Sequence, residues 1–189
     1  MSDAGAPLRI LPYEVLPASH EPPPPYLAAA ADALAGAIHA REPALDVQHV
    51  GSSAVPGLPG KNVIDLAVVY LPGRLEATRD VLDAMGFQRQ EGEHAFPEAR
   101  PMRRGTIEWE GVRVRVHAHV IARGCQEHAE LVAFRERLRN DPELCERYAA
   151  EKRRVLATGL TRGVDYAIAK GDFVRAVLRD MGFPERDEL

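Results

Sequence analysis

A strict alternation of apolar and polar residues from Val112 to Val120 constrains the fold more than any other feature of this sequence. The two sets occupy alternate positions, with Val112, Val114, Val116, Ala118 and Val120 against Arg113, Arg115, His117 and His119. Because successive side chains of a strand point to opposite faces, this period of two predicts a β-strand with one buried face. Glu110-Gly111 suits a two-residue hairpin turn, so a strand beginning at Thr106 is expected to pair with it.

The other periodic segments predict a mixed sheet surrounded by helices. Further strands are expected at residues 8–13, 45–50, 62–70 and 87–91, and helices at 26–41, 74–85, 126–139, 142–157 and 166–181. Asp141 before Pro142 indicates a helix start, because aspartate caps free amides and proline suits the first helical position. The expected fold class is α/β, more narrowly α+β. We predict one domain over residues 8–183 with a helical C-terminal third and flexible termini at 1–7 and 184–189.

Composition limits the classes of function. The chain has 189 residues, which suits one domain, and 46% of them are hydrophobic. The net charge of -4 argues against a surface dedicated to coating nucleic acid, so a nucleic-acid partner is not expected. Cys125 and Cys145 form no Cys-x-x-Cys pair and are expected to be free thiols in a reducing compartment. No apolar run reaches the roughly 20 residues of a membrane span, and we predict a cytoplasmic location without membrane contact.

A glycine-rich loop follows the strand expected at 45–50. Gly51 would let the backbone approach a ligand, and Ser52 and Ser53 supply hydroxyl and amide donors of the kind that often hold phosphates. Lys61 follows the loop and is a further candidate for phosphate contact. The alternative is a tight surface loop between two strands, which the glycine and serines alone do not exclude.

Asp65 interrupts an otherwise apolar strand. A buried carboxylate is costly unless it is paired or bound to a metal, so Asp65 is a candidate metal ligand and catalytic residue. Phosphoryl-transfer sites usually use two or three acids for Mg²⁺, whereas Ala67 occupies the next position on this face. The alternative is a carboxylate that accepts hydrogen bonds from backbone amides or from an arginine.

Two further groups of residues could contribute. His117 and His119 share one strand face with Arg113 and Arg115; the histidines are candidate catalytic residues, and Arg115 is a candidate phosphate ligand. The alternative is a solvated hairpin face in which Glu108 pairs with Arg113. Two Tyr-x-x-x-Lys turns place a tyrosine and a lysine on one helical face; they are Tyr148 with Lys152, and Tyr166 with Lys170. Both lysines are candidate phosphate ligands, although a lysine above a core tyrosine is the more ordinary arrangement.

Taken together, these segments resemble the GrpB family. The motif that carries the resemblance is QHVGSSAVPGLPGKNVIDLAVV at residues 48–69, supported by His117-Ala118-His119-Val120, the FRERLR segment at 134–139, Asp141-Pro142 and the two Tyr-Lys turns. The resemblance covers residues 10–180. It implies the nucleotidyltransferase fold of the DNA polymerase beta superfamily, in which a Gly-Ser loop holds the triphosphate and acids on the following strand bind two metals.

Carried over by position, the resemblance matches Gly51 and Ser52 to the Gly-Ser loop and Asp65 to the first metal acid. Ala67 departs from the second acid, and the third has no match. The resemblance as a whole implies a nucleotidyltransferase-like protein, and we expect it to transfer a nucleotidyl or phosphoryl group to a small acceptor with Mg or Mn. The alternative is a nucleotide-binding or phosphate-binding module, or an accessory protein, without turnover. The expected partner is a small nucleotide or another phosphorylated substrate.

Overall fold

A computed structural model of the chain describes residues 8–92, 95–161 and 163–185, without the side chains of residues 163 and 164. Its strands form one mixed sheet. The strands are β1 (Arg9–Leu11), β2 (Asp46–Val50), β3 (Val63–Tyr70), β4 (Gln88–Arg89), β5 (Met102–Trp109) and β6 (Val112–Ala122). Their order is β1-β5-β6-β3-β2, and β4 pairs with β5. Only β3 and β6 pair in parallel among these strands, which puts the two central strands side by side in one direction.

Two helices, α1 (Leu27–Arg41) and α2 (Leu75–Ala84), cover one face of this sheet. Along α1 the residues Leu27, Leu34 and Ile38 recur at helical spacing and are buried against Leu66 and Val116 of the central strands. Full burial of one such side chain stabilises the fold by about 1.5–3 kcal/mol. This face therefore holds the main hydrophobic core.

The opposite face of the sheet is only partly covered. A small cluster packs below the helix α3 (Gln126–Asn140); it consists of Val50, Ala67, Val69 and Ile121. The helices α4 (Pro142–Ala157), α5 (Gly163–Ala169) and α6 (Gly171–Asp180) follow α3. A second core joins these helices to the glycine-rich loop, because Val55 and Leu58 of the loop pack with Phe134 and Tyr148. The helical third is thereby fixed to the loop and leaves the Asp65 end of β3 partly exposed.

The mixed sheet with flanking helices and the helical C-terminal third are confirmed, but the strands expected at 8–13 and 87–91 are shorter, at Arg9–Leu11 and Gln88–Arg89. The strand expected from Thr106 begins at Met102, because Arg103 is buried in an ion-pair network with Asp83 and Glu98. The helix expected at 166–181 is two helices separated at Lys170, and Gly171, a poor helix former, begins the second.

The remaining expectations concern the hairpin, the membrane and the termini. Glu108 lies opposite Arg113, as the turn at Glu110 and Gly111 predicts, and their side chains form an ion pair at 3.6 Å. Within the described part of the chain, no helix combines the length and the hydrophobicity needed to cross a membrane. The termini predicted to be flexible lie outside the described residues at 1–7 and 186–189.

Candidate functional site

Strand register brings three of the predicted site residues together. In the parallel pairing of β3 with β6, Asp65 lies beside His117 and Ala67 beside His119. The Oδ1 atom of Asp65 is 3.3 Å from His117 Nδ1 and 3.9 Å from His119 Nε2. The three side chains are 27%, 19% and 22% exposed, so solvent reaches each of them. The carboxylate is thus paired with imidazoles rather than with a second acid.

The two protonation states in this pair follow from burial and hydrogen bonding. Burial alone would raise the pKa of Asp65, but the neighbouring imidazoles of His117 and His119 outweigh this effect and hold that pKa well below its usual value. Burial lowers the pKa of His117, although its contact with Asp65 opposes this effect. At neutral pH the arrangement is therefore a carboxylate that accepts a hydrogen bond from a neutral imidazole.

Gly51 places the backbone of the loop against the carboxylate of Asp65. Val50 pairs with Asp65 at the end of β2, and Gly51 then turns the chain with φ 69° and ψ -169°. Glycine is essentially the only residue that adopts this conformation. A Cβ atom at Gly51 would lie 2.7 Å from Asp65 Oδ2, so this approach also needs the missing side chain.

The two serines of the loop have different surroundings. They form the one-turn 3-10 helix Ser52–Ala54. The Ser53 hydroxyl contacts His49 Nε2 at 2.9 Å and accepts a hydrogen bond from the Asp65 amide at 3.4 Å. The Ser52 hydroxyl instead lies beside Gly60, where a Cβ atom would be 3.4 Å from Ser52 Oγ and 3.5 Å from Lys152 Nζ. Ser53 is thus engaged in holding the loop, whereas Ser52 lies toward the lysines.

Two arginines of α3 hold the same loop from outside. Arg139 donates to the carbonyl oxygen of Ala54 through Nε and Nη2, at 3.0 and 2.7 Å. Arg135 donates to the carbonyl oxygen of His49 at 2.8 Å. Hydrogen bonds from charged donors contribute about 1.5–3 kcal/mol each, so α3 stabilises the loop conformation strongly. Sequence reasoning assigned no role to these arginines.

Lys152 lies beneath the loop rather than at the rim of the site. Its side chain is 1% exposed, donates a hydrogen bond to the carbonyl oxygen of Pro59 and lies 4.9 Å above the centre of the Tyr148 ring. Burial, together with the charge of Lys170, lowers its pKa to about 7. Packing of α4 against the loop encloses both the stem and the amine of Lys152, one of the two lysines that the Tyr-x-x-x-Lys turns made candidate phosphate ligands.

Lys170 and Lys61 lie on the side of the site that faces the helices α4 and α5, here called the helix side. Lys170 donates to the Tyr148 hydroxyl at 3.1 Å, and the electrostatic effect of Tyr148 raises the pKa of Lys170. Lys61 Nζ lies 5.3 Å from the centre of the Tyr166 ring. Burial lowers the pKa of Lys61, and the charge of Asp65 opposes that shift. Tyr166 itself is 1% exposed, and its hydroxyl has no hydrogen-bond partner within the described residues.

Arg115 and Tyr13 complete the surroundings. Arg115 Nη2 donates to the carbonyl oxygen of Lys61 at 2.9 Å and thereby joins β6 to the end of the loop. The Tyr13 hydroxyl is 2.9 Å from His117 Nε2. The strand expected at 8–13 ends at Leu11, so Tyr13 lies beyond it in a segment without regular structure, and nothing in the sequence indicated its contact with His117.

The donor set determines which metal site these residues suit. The described residues contain no group of three or more histidine, cysteine or acidic side chains arranged to hold an ion. Asp65 Oδ1 is directed to the imidazoles, whereas Oδ2 faces Gly51 of the loop. A two-metal centre does not fit, since Ala67 occupies the position of a second acid. A single ion that arrives with a phosphate ligand fits the oxygen that faces the loop.

Known proteins place this arrangement in a family. The sequence profile of the family described as GrpB protein matches residues 19–180. The chain belongs to the GrpB family. A UPF0157 protein of Streptomyces coelicolor is 30% identical over 145 residues, which cover 75% of this chain and 72% of that protein. A UPF0157 protein of Pseudomonas aeruginosa is 32% identical over 171 residues, covering 83% of this chain and 65% of that protein.

Solved structures agree with this membership. The crystal structure of the conserved protein GrpB from Enterococcus faecalis is 21% identical and covers 86% of this chain and 95% of its own, with a TM-score of 0.67. The membership expected from the motif around Gly51 is therefore confirmed, and the fold is shared. Similarity to the Cid1 poly(U) polymerase is weaker, with a TM-score of 0.36 and 20% identity over 67% of this chain and 40% of that one. At that level it establishes no activity for this chain.

Proposed function

We propose that this GrpB protein binds the phosphate groups of a nucleotide, or of another phosphorylated small molecule, between the loop at Gly51 and the lysines opposite it. The observation that carries the proposal is the gathering of three lysines around one loop, with Lys61 and Lys170 beside it and the enclosed amine of Lys152 beneath it. Within the described residues, none of the three forms an ion pair with a carboxylate, although Asp65 acts on Lys61 and Lys170 from a distance. Partly buried ammonium groups without counter-charges favour an anionic ligand.

The loop supports the same ligand class. Gly51 brings backbone close to Asp65, and the Ser52 hydroxyl lies on the side of the loop that faces Lys152. Arg115 adds a guanidinium group beside Lys61. Hydroxyl and backbone donors beside several cations are the usual means of holding phosphate oxygens. A polyphosphate suits the arrangement better than a single phosphate, because the cations surround the loop rather than one point.

A divalent cation, Mg or Mn, would enter with the phosphates and take Asp65 as its protein ligand. When bound, such an ion would neutralise phosphate charge and leave its other positions to water and phosphate oxygens. The imidazoles of His117 and His119 suit Mn better than Mg, because nitrogen donors favour the softer ion. The absence of a second acid at Ala67 supports one ligand-borne ion and argues against a two-metal reaction.

Transfer of a nucleotidyl or phosphoryl group is the second candidate function, and the pairing of His117 with Asp65 favours it. An imidazole whose Nδ1 proton faces a carboxylate presents the lone pair of Nε2, here 2.9 Å from the Tyr13 hydroxyl, and can act as a general base. In this mechanism His117 accepts a proton from the attacking group, Asp65 stabilises the resulting imidazolium, and His119 lies near the phosphate oxygens. A module that only binds its ligand needs the lysines and the loop but not this dyad.

A ligand screen by thermal shift tests the binding proposal. The four ribonucleoside triphosphates, their monophosphates and inorganic pyrophosphate are each added with and without Mg²⁺ or Mn²⁺. We expect a rise in Tm that is larger for triphosphates than for monophosphates, because a ligand that binds the folded state stabilises it by mass action. Arg153→Met, at an exposed position of α4, is the control for the loss of one positive charge away from the loop. No shift with any compound would leave an accessory role as the better explanation.

A further inference from the structure

Tyr13 holds a position that the binding proposal does not use. It follows β1 and packs on the site face of the sheet, where its ring stacks on His117 with centroids 5.5 Å apart. Its backbone amide donates to Gln88 Oε1 at 2.9 Å, and the guanidinium group of Arg104 lies 5.3 Å from the ring centre. These contacts fix both the backbone and the ring, so the hydroxyl has a defined place beside the imidazole.

The directions of two hydrogen bonds follow from the chemistry of the groups. An ionised carboxylate only accepts, so His117 Nδ1 carries the proton that faces Asp65 Oδ1 at 3.3 Å. With that proton on Nδ1, Nε2 of the ring offers its lone pair to the Tyr13 hydroxyl 2.9 Å away. The order is hydroxyl, imidazole and carboxylate, which is the arrangement of an activated nucleophile, its base and the group that orients the base.

The surrounding charges agree with this role. Burial raises the pKa of Tyr13, while the charge of Arg115 opposes that rise. The phenol is therefore protonated at neutral pH and depends on His117 to remove its proton, while Arg115 would stabilise the developing negative charge. The two loop hydroxyls are directed elsewhere, since Ser53 contacts His49 and Ser52 lies beside Gly60.

We propose that Tyr13 is a covalent modification site, whose hydroxyl accepts a nucleotidyl group from a nucleoside triphosphate bound at the loop. This inference rests on the proposed binding of a nucleotide. The Tyr13 oxygen attacks the α-phosphorus, a Tyr13 O–P bond forms, and the bond from that phosphorus to the bridging oxygen breaks. Pyrophosphate leaves with the electron pair, and the phenol proton passes to His117 Nε2.

The placement of the cations supports attack at the α-phosphorus. Lys61 and Lys170 lie on the helix side of the loop, where they would face the departing pyrophosphate, whereas Lys152 is enclosed beneath the loop. Tyr13 and His117 lie on the sheet side, beyond Asp65. A triphosphate that spans from the lysines toward Asp65 would thus present its α-phosphorus, rather than its γ-phosphorus, to the tyrosine.

Mass spectrometry of the intact protein tests this inference. The purified chain is incubated with each of the four ribonucleoside triphosphates in Mg²⁺ and in Mn²⁺, and peptide mapping locates any adduct. We expect one added nucleotidyl group on Tyr13, none in Tyr13→Phe and at least tenfold less in His117→Gln. Tyr26→Phe removes the hydroxyl of an exposed tyrosine at the start of α1, and this variant is expected to be modified like the wild type.

Calorimetric nucleotide binding on the same preparations separates the two proposals. Tyr13→Phe is expected to bind nucleotide with wild-type affinity, which also establishes that the variant is folded. Nucleotide binding without an adduct on Tyr13, an adduct on another residue, or an added phosphoryl group would overturn the modification site and leave the binding proposal standing. Absence of nucleotide binding by the wild type would overturn both.

Discussion

The sheet side of the candidate site is held by strand register, whereas its helix side is held by the packing of long side chains. Asp65 and His117 are neighbours because β3 and β6 pair in parallel, and their contact follows directly from that register. Lys152 and Lys170 meet around Tyr148 only because α4 and the α5–α6 junction pack on the loop. The first arrangement keeps its charge paired, and the second concentrates unpaired positive charge. Stability and ligand binding are therefore expected to respond differently on the two sides.

The helix side is expected to show the largest difference in stability between matched variants, through Lys152. Its pKa of about 7 in the folded chain lies below the value of about 10.4 for an unfolded lysine, so the unfolded state binds more protons between those values. The buried amine of Lys152 therefore destabilises the folded state most at low pH, and this destabilisation decreases as the pH rises. Relative to Lys152→Met, the wild type is expected to gain about 2 kcal/mol from about pH 7 to about pH 9. Urea unfolding at both pH values measures this gain.

Arg153→Met is the matched control, because Arg153 is the exposed neighbour of Lys152 on α4. Its stability relative to the wild type is expected to stay constant over the same pH range, since arginine remains charged throughout. If the difference between the wild type and Lys152→Met does not change with pH, the amine is solvated and the helix side is not the uncompensated cluster described above.

A smaller effect is expected where the loop meets the sheet side, at Gly51. Both Gly51 and Gly57 have positive φ, at 69° and 75°, but a Cβ atom at Gly57 would meet nothing within 4 Å. An alanine at either position strains the backbone by roughly 1–3 kcal/mol. Only Gly51→Ala also displaces the Asp65 carboxylate, so we expect it to lose about 1 kcal/mol more than Gly57→Ala and to lose nucleotide binding as well.

Urea unfolding and nucleotide titration of the two alanine variants separate backbone strain from the contact with Asp65. Equal losses of stability, with binding retained in both, would mean that the carboxylate moves aside freely. In that case strand register would not fix the sheet side as tightly as its contacts indicate.

The sequence predicted the sheet side of the site better than the helix side, and the reason is physical. Side chains alternate along strands, so the period of two placed His117 and His119 on one face and Asp65 on the corresponding face of a buried strand. The glycine and serines of the loop were recognisable because their chemistry is local. The parallel pairing that joins Asp65 to His117 agrees with the mixed sheet that the family resemblance implied, but neither the resemblance nor the periodicity specified which strands pair.

The helix side and Tyr13 depended on contacts between distant segments. Helical spacing put Tyr148 near Lys152, but burial of the amine results from Pro59 and the loop packing over it. The break at Lys170 was not visible, because a single glycine is often tolerated within a helical pattern. Tyr13 reaches His117 from a segment without regular structure, and no local signal in the sequence marks such a contact.

Calorimetric titration of ATP into the wild type and Asp65→Ala, with and without Mg²⁺, tests most directly whether the two sides act on one phosphate ligand. The lysines and the loop predict binding by the wild type, strengthened by the metal. Asp65→Ala is expected to keep metal-free binding, because the cations remain and a negative charge is removed, but to lose the gain from Mg²⁺. Equal affinity in both proteins with no metal dependence would contradict the role of Asp65, and no heat with the wild type would contradict the phosphate site itself.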